Sequence, residues 1–183
     1  MLYFLFAATL LTGCAAWTDW RTGHIPNKLT LAGFAGGVLA HFARGAYLGG
    51  LRGGVEQAGF ALGGALLCAL VPLFMFHKGG MGGGDVKLFA AIGALLQPLG
   101  GLEAETYAFV AAAVLAPMKL AYEGTLTRTI LNTLALLTNP FRAPSKRKAI
   151  PEAAVAWFRL GPAIFLGTAS TLVIHFHSWS LRP

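Results

Sequence analysis

The chain has 183 residues, of which 56% are apolar and only 11% charged, and its mean hydropathy is +0.64. Soluble domains carry about 25% charged residues, so the composition excludes an ordinary water-soluble fold and predicts an all-α, polytopic membrane protein forming one domain over residues 1–183. The net charge of +7 sits in short connections between apolar runs, where it sets topology and meets anionic lipid rather than nucleic acid.

Breaks at charged and Pro/Gly-rich stretches divide the chain into six expected transmembrane helices, over residues 2–18, 29–48, 55–76, 86–101, 104–122 and 158–176. The first contains "LLTGC" (Leu10–Cys14), which fits a bacterial lipoprotein cleavage pattern with Cys14 as the lipidated residue. The segment before it has no Lys or Arg, whereas a secretory signal begins with a positive region, so a retained helix is expected. It closes with "AAWTDWRTGHIPNKLT", which carries Asp19. In the second and third, Gly33/Gly37 and Gly59/Gly63 are spaced to permit close helix packing. Cys14 and Cys68 are expected to be buried, inert thiols; two cysteines cannot make a four-cysteine zinc site.

Before the fourth helix comes "KGGMGGGDVKLFAAIGALL" (Lys78–Leu96), a glycine run ending on Asp85. The fourth apolar segment is short, so non-helical backbone is expected to precede it inside the membrane, where protein or a water-filled cavity must surround it. Glu56, Glu103 and Glu105 read as solvated ends at the opposite boundary. Residues 123–157 form the longest connection. "TRTILNTLALLTNPF" can lie as an interfacial helix and "RAPSKRK" can meet anionic headgroups; a solvated loop is the alternative, and both stay open. His175 and His177 supply two ligands, too few for a metal site, and no metal or cofactor is expected.

Eleven of the 14 Lys and Arg residues fall on the side holding connections 1, 3 and 5, and only Arg44, Arg52 and Arg182 on the other. The positive-inside rule then puts those connections in the cytoplasm and both termini outside it. Asp19 and Asp85 are the only aspartates in the chain. One ends an inward helix and the other starts an outward one, so both are expected at the cytoplasmic membrane face although 66 residues apart. Two neighbouring carboxylates do not readily both ionise and so share a proton. The ionised one can take a proton from water attacking a peptide carbonyl, and the protonated one can polarise that carbonyl. Alone, Asp85 could be a helix cap and Asp19 an interface anchor beside Trp17, Trp20 and Arg21. His24 and His77 share their side of the membrane and read as solvated. Lys87 can tune Asp85 or snorkel.

"GGGD" (Gly82, Gly83, Gly84, Asp85) resembles the G-x-G-D signature of intramembrane aspartyl proteases. The longer "MGGGDVKLFAAIGALL" and "DWRTGHIPNKLT" resemble the two aspartate motifs of type IV prepilin peptidases. The resemblance implies that Asp19 and Asp85 are catalytic, with Gly82, Gly84, Pro26, Asn27 and Lys87 as accompanying motif positions. It implies a hydrolase of the bacterial cytoplasmic (inner) membrane, serving type IV pilus assembly or protein secretion. Such an enzyme removes the basic leader of a prepilin after a glycine, on the cytoplasmic side. The first connection, about ten residues without cysteine, resembles the short, peptidase-only form of Flp/tight-adherence systems and puts N-methylation in doubt. A glycine loop is then expected to bring Asp85 and an extended substrate toward Asp19. The alternatives are a small transporter or a non-catalytic scaffold of a pilus or secretion assembly. The expected partners are a prepilin-like substrate and lipid, and the sequence carries no sign of oligomeric state.

Overall fold

A computed structural model describes residues 2–138 and 158–180. It is helical, with no strand among the described residues: α1 (Leu2–Thr22), α2 (Asn27–His77), α3 (Gly83–Tyr122), α4 (Leu126–Thr138) and α5 (Gly161–Ser180). Three of them, α1, α2 and α3, are long and apolar enough to cross a membrane. The chain forms two compact units, one of Met1–Ala112 with Arg159–Pro183, the other of Ala113–Phe158.

The two longest helices each contain a reversal. In α2 the backbone leaves the helical region at Gly49 and at Gly50, whose φ of 64° suits a residue without a Cβ. Beyond it the chain doubles back, since a Cβ on Gly45 would lie 2.3 Å from the Gly53 carbonyl oxygen. Eight residues along a straight helix are about 12 Å apart, so the two arms are antiparallel neighbours.

The reversal in α3 falls at Gln97 (φ 60°, ψ −179°), the one non-glycine with positive φ among the described residues. Beyond it Gly101 returns against Gly93, to which its Cβ would lie 3.0 Å from Cα. The sequence places this boundary between residues 101 and 104; the turn comes earlier because Pro98 bars the residue before it from the right-handed helical region. The Gln97 amide is held in place by its own hydrogen bonds. Nε2 donates to Gln57 Oε1 at 2.9 Å and to His41 Nδ1 at 3.2 Å, leaving His41 Nε2 to donate to the Leu95 carbonyl at 2.9 Å. Phe4 stacks on the His41 ring at 3.9 Å.

In the larger unit the first arm of α3 is the central rod, buried at every residue from Leu88 to Leu96 except the half-buried Ala90. Helices close in on it at glycines. A Cβ on Gly93 would lie 2.2 Å from the Gly64 carbonyl oxygen, and one on Gly37 2.9 Å from Ala94 backbone. Lipid tails are as apolar as leucine, so such van der Waals contact and buried hydrogen bonds hold the helices together. Of the sequence-expected packing pairs, Gly33 and Gly37 do pack, whereas Gly59 and Gly63 meet nothing within 4 Å. α1 buries Leu5, Ala8, Thr12, Ala15, Ala16 and Asp19 along one face. Thr12 Oγ1 meets Thr168 Oγ1 of α5 at 2.6 Å.

In the smaller unit Lys119 pairs with Glu123 one turn away at 3.7 Å. The segment expected as an interfacial helix forms α4, with Ile130 and Leu131 half exposed. "RAPSKRK" lies outside the described residues.

Candidate active site

α1 ends in a glycine cap. The Gly23 N–H donates to the Asp19 carbonyl at 2.8 Å, with Gly23 at φ 67°. The chain then turns through Ile25, which is buried, and Pro26, whose extended backbone (φ −64°, ψ 131°) starts α2. The Pro26 carbonyl accepts from Leu29 N at 3.0 Å and Thr30 N at 3.3 Å, so Ile-Pro-Asn is a compact corner opening on Asn27.

The glycine run forms the second corner. α2 is closed by hydrogen bonds from Gly79 N to Phe76 O at 2.9 Å and from Gly80 N to Met75 O at 2.8 Å, and Met81 inserts into the core. α3 begins at Gly83. The Gly82 carbonyl accepts from Asp85 N at 3.2 Å and Val86 N at 3.4 Å. Asp85 thus stands in the first turn of its own helix, where the positive helix end favours a carboxylate. The glycines do not all form a loop, as the sequence suggests. Gly83 and Gly84 lie inside the first turn, because Gly84 must pass Ile25, where its Cβ would stand 3.2 Å from the Ile25 Cβ.

These corners bring the two motifs together. Lys87 Nζ donates to Asn27 Oδ1 at 2.8 Å. Asp19 is 6% exposed, and its carboxylate is close enough to Asp85 to act on it electrostatically. A third segment, "LGPAIFLG" (Leu160–Gly167), which shares in the resemblance but is given no site role from the sequence, completes the site. The Gly161 N–H, at the start of α5, donates to Asp19 Oδ2 at 3.0 Å, and a helix N-terminus is a favourable neighbour for a carboxylate. Room there is tight, since a Cβ on Gly161 would lie 2.8 Å from Asp19 Oδ2. The available signal was the Gly161–Pro162 dipeptide opening the last apolar run, a common way for a helix to start. His24 and His77 are exposed.

The sequence model of the type IV leader peptidase family matches residues 4–117, which hold both aspartates and both corners. The chain belongs to the type IV leader peptidase family. No curated protein and no solved structure matches the chain. In this family member Gly161 lies beyond the matched stretch, although it touches Asp19.

Away from the corners, two sequence expectations are corrected in this leader-peptidase relative. Glu105 is not a solvated end. It is 4% exposed, lies beside Cys68, and neither carboxyl oxygen has a hydrogen-bond partner of ordinary geometry among the described residues. The reversal at Gln97 sends residue 105 back along the rod, so it is not left at the tip. Glu103 is partly buried and pairs with His175 Nε2 at 2.9 Å, while Glu56 is exposed as expected. Cys68 is buried, but Cys14 is exposed because it points away from the buried face of α1. Among the described residues no three His, Cys, Asp or Glu side chains cluster to hold a metal ion.

Proposed function

We propose that the protein is an aspartic endopeptidase of the bacterial cytoplasmic membrane that removes the basic leader from type IV prepilins at the cytoplasmic face. The observation carrying this reading is the juxtaposition of Asp19 and Asp85, the chain's only aspartates, from helices 66 residues apart. In this reading the arms of α2 and α3 make separate passes, giving six spans with both termini outside. The distribution of Lys and Arg supports that sidedness. The site then sits at the depth of a scissile bond lying just before an apolar helix. Gly82 keeps the approach to the Asp85 carboxylate clear, since a Cβ there would lie 3.1 Å from Oδ2.

The chemistry uses the pair as a unit sharing one proton. The ionised carboxylate takes a proton from a water molecule as the water oxygen bonds to the scissile carbonyl carbon. The protonated carboxyl gives its proton to the carbonyl oxygen, producing a neutral tetrahedral diol. Collapse of the diol breaks the C–N bond. One carboxyl protonates the departing nitrogen while the other takes back a hydroxyl proton, which restores the shared-proton state. Lys87 and Asn27 tie the two motif corners together and so hold the carboxyls in register. With no cysteine in the short first connection, the reading is a peptidase without N-methylation.

The test is processing of a co-expressed prepilin-like substrate by wild type, Asp19→Asn and Asp85→Asn, each quantified for expression in membranes. The expected outcome is complete cleavage by wild type and none by either variant. Cleavage surviving in both variants refutes the mechanism and favours a transporter or scaffold.

A further inference from the structure

We infer that Arg159 is a positioning residue for Asp19, acting through the N-terminus of α5; the inference rests on the catalytic reading of Asp19. Three observations carry it. Arg159 Nη1 donates to the Trp20 carbonyl, in the last turn of α1, where carbonyls have no partner within their own helix. Its guanidinium also packs beside Gly23, where a Cβ would stand 3.8 Å from Nη2 and 4.0 Å from Nε, at ordinary contact distance. Two residues later Gly161 N–H donates to Asp19 Oδ2. The strap 159–161 is therefore stitched to consecutive residues of α1, residue 159 to Trp20 and residue 161 to Asp19.

The strap is short and internally fixed. Leu160, its middle residue, already accepts from Ile164 N at 3.0 Å, which makes it the residue from which α5 starts. A shift of Arg159 thus carries the Gly161 N–H with it. Neighbouring Arg21 does not duplicate the role, since its guanidinium lies over the Trp17 ring at 4.5 Å. Glycine at 161 lets the N–H approach the carboxylate, and the guanidinium sets where along α1 that approach occurs. Without the grip on Trp20, α5 loses its register against the end of α1. A catalytic group misplaced by about 1 Å can cost on the order of a hundredfold in rate.

The experiment measures kcat and KM on a purified prepilin-like substrate, using the full-length protein in proteoliposomes. It compares wild type, Arg159→Ala, Arg159→Lys, Gly161→Ala, the Arg159→Ala/Gly161→Ala double variant and Asp19→Asn, with the folded fraction of each measured by thermal unfolding. Arg159→Ala is expected to lower kcat per folded molecule by about ten- to a hundredfold, with KM little changed. Lys keeps a donor for the carbonyl and is expected to recover most of the loss. Because both residues act through one carboxylate, Arg159→Ala on the Gly161→Ala background should cost less than about twofold more. A wild-type kcat per folded molecule in Arg159→Ala overturns the inference, and so do losses that simply multiply in the double variant. Cleavage by Asp19→Asn instead sinks the catalytic reading itself. An inactive Asp19→Asn beside a normal Arg159→Ala removes only the positioning role.

Discussion

Gly161→Ala tests the support of Asp19 with the smallest possible change. The added Cβ would stand 2.8 Å from Asp19 Oδ2, 2.9 Å from Asp19 Cβ and 3.2 Å from Ala16 Cα. The last two are fixed to the α1 backbone, so no rotation of the Asp19 side chain relieves them and the start of α5 must move off α1. Ordinary contact starts at 3.4 Å, so Gly161 and Oδ2 separate by about 0.6 Å. That stretches its 3.0 Å bond from Gly161 N to about 3.6 Å, which is no longer a hydrogen bond. A hydrogen bond to a carboxylate is worth about 1.5–3 kcal/mol, and each ~1.4 kcal/mol is tenfold in rate. The expected loss is therefore roughly 10- to 150-fold, falling on kcat. The assay is prepilin cleavage in proteoliposomes, with Gly59→Ala as the control because nothing lies within 4 Å of a Cβ there. Gly161→Ala cleaving at the rate of Gly59→Ala, with equal folded fractions, would refute the argument that this contact sets the carboxylate.

Two further outcomes follow from packing. Gly93→Ala forces a Cβ to within 2.2 Å of the Gly64 carbonyl oxygen, backbone against backbone, and should destabilise by at least about 1–3 kcal/mol. Gly63→Ala, which meets nothing, should leave Tm unchanged or raised; equal Tm values for the two would contradict the close helix contact. Glu105→Met replaces a buried carboxyl, whose oxygens have no hydrogen-bond partner of ordinary geometry among the described residues, by an apolar chain of similar length. It should raise stability by about 1–3 kcal/mol with cleavage unchanged. A fall in Tm or in cleavage would mean that Glu105 makes an interaction worth more than its burial costs.

The membrane character and the helical class were legible in the sequence, which also put Asp19 and Asp85 at one membrane face without deciding whether they meet. Apolar runs near the length of a bilayer and the placement of 14 basic residues carry that information along the chain itself. The turn at Gln97 was not, because glutamine is a poor marker for positive φ; the signal was Pro98, read backwards by one residue. The burial of Glu105 depends on that turn. A glutamate near a span end looks solvated until the reversal is placed at Gln97, ahead of the expected break between residues 101 and 104. Gly59 and Gly63 failed as packing markers for a related reason, since spacing says which glycines share a face but not what that face meets. The Gly161–Pro162 dipeptide marks a helix start but not its contact with Asp19, which joins residues 142 positions apart and uses a backbone N–H, which every residue but proline carries.

That last contact also has a temporal meaning. The N–H that holds Asp19 belongs to a residue made 142 positions later. At about 5–20 residues per second, synthesis separates the two by roughly 7 to 30 seconds. During that interval a nascent chain has Asp19, and soon Asp85, but not the α5 end that fixes the first carboxylate. Synthesis of α5 thus sets when Asp19 gains its backbone donor. A chain stalled before Gly161 lacks that hydrogen bond on Asp19.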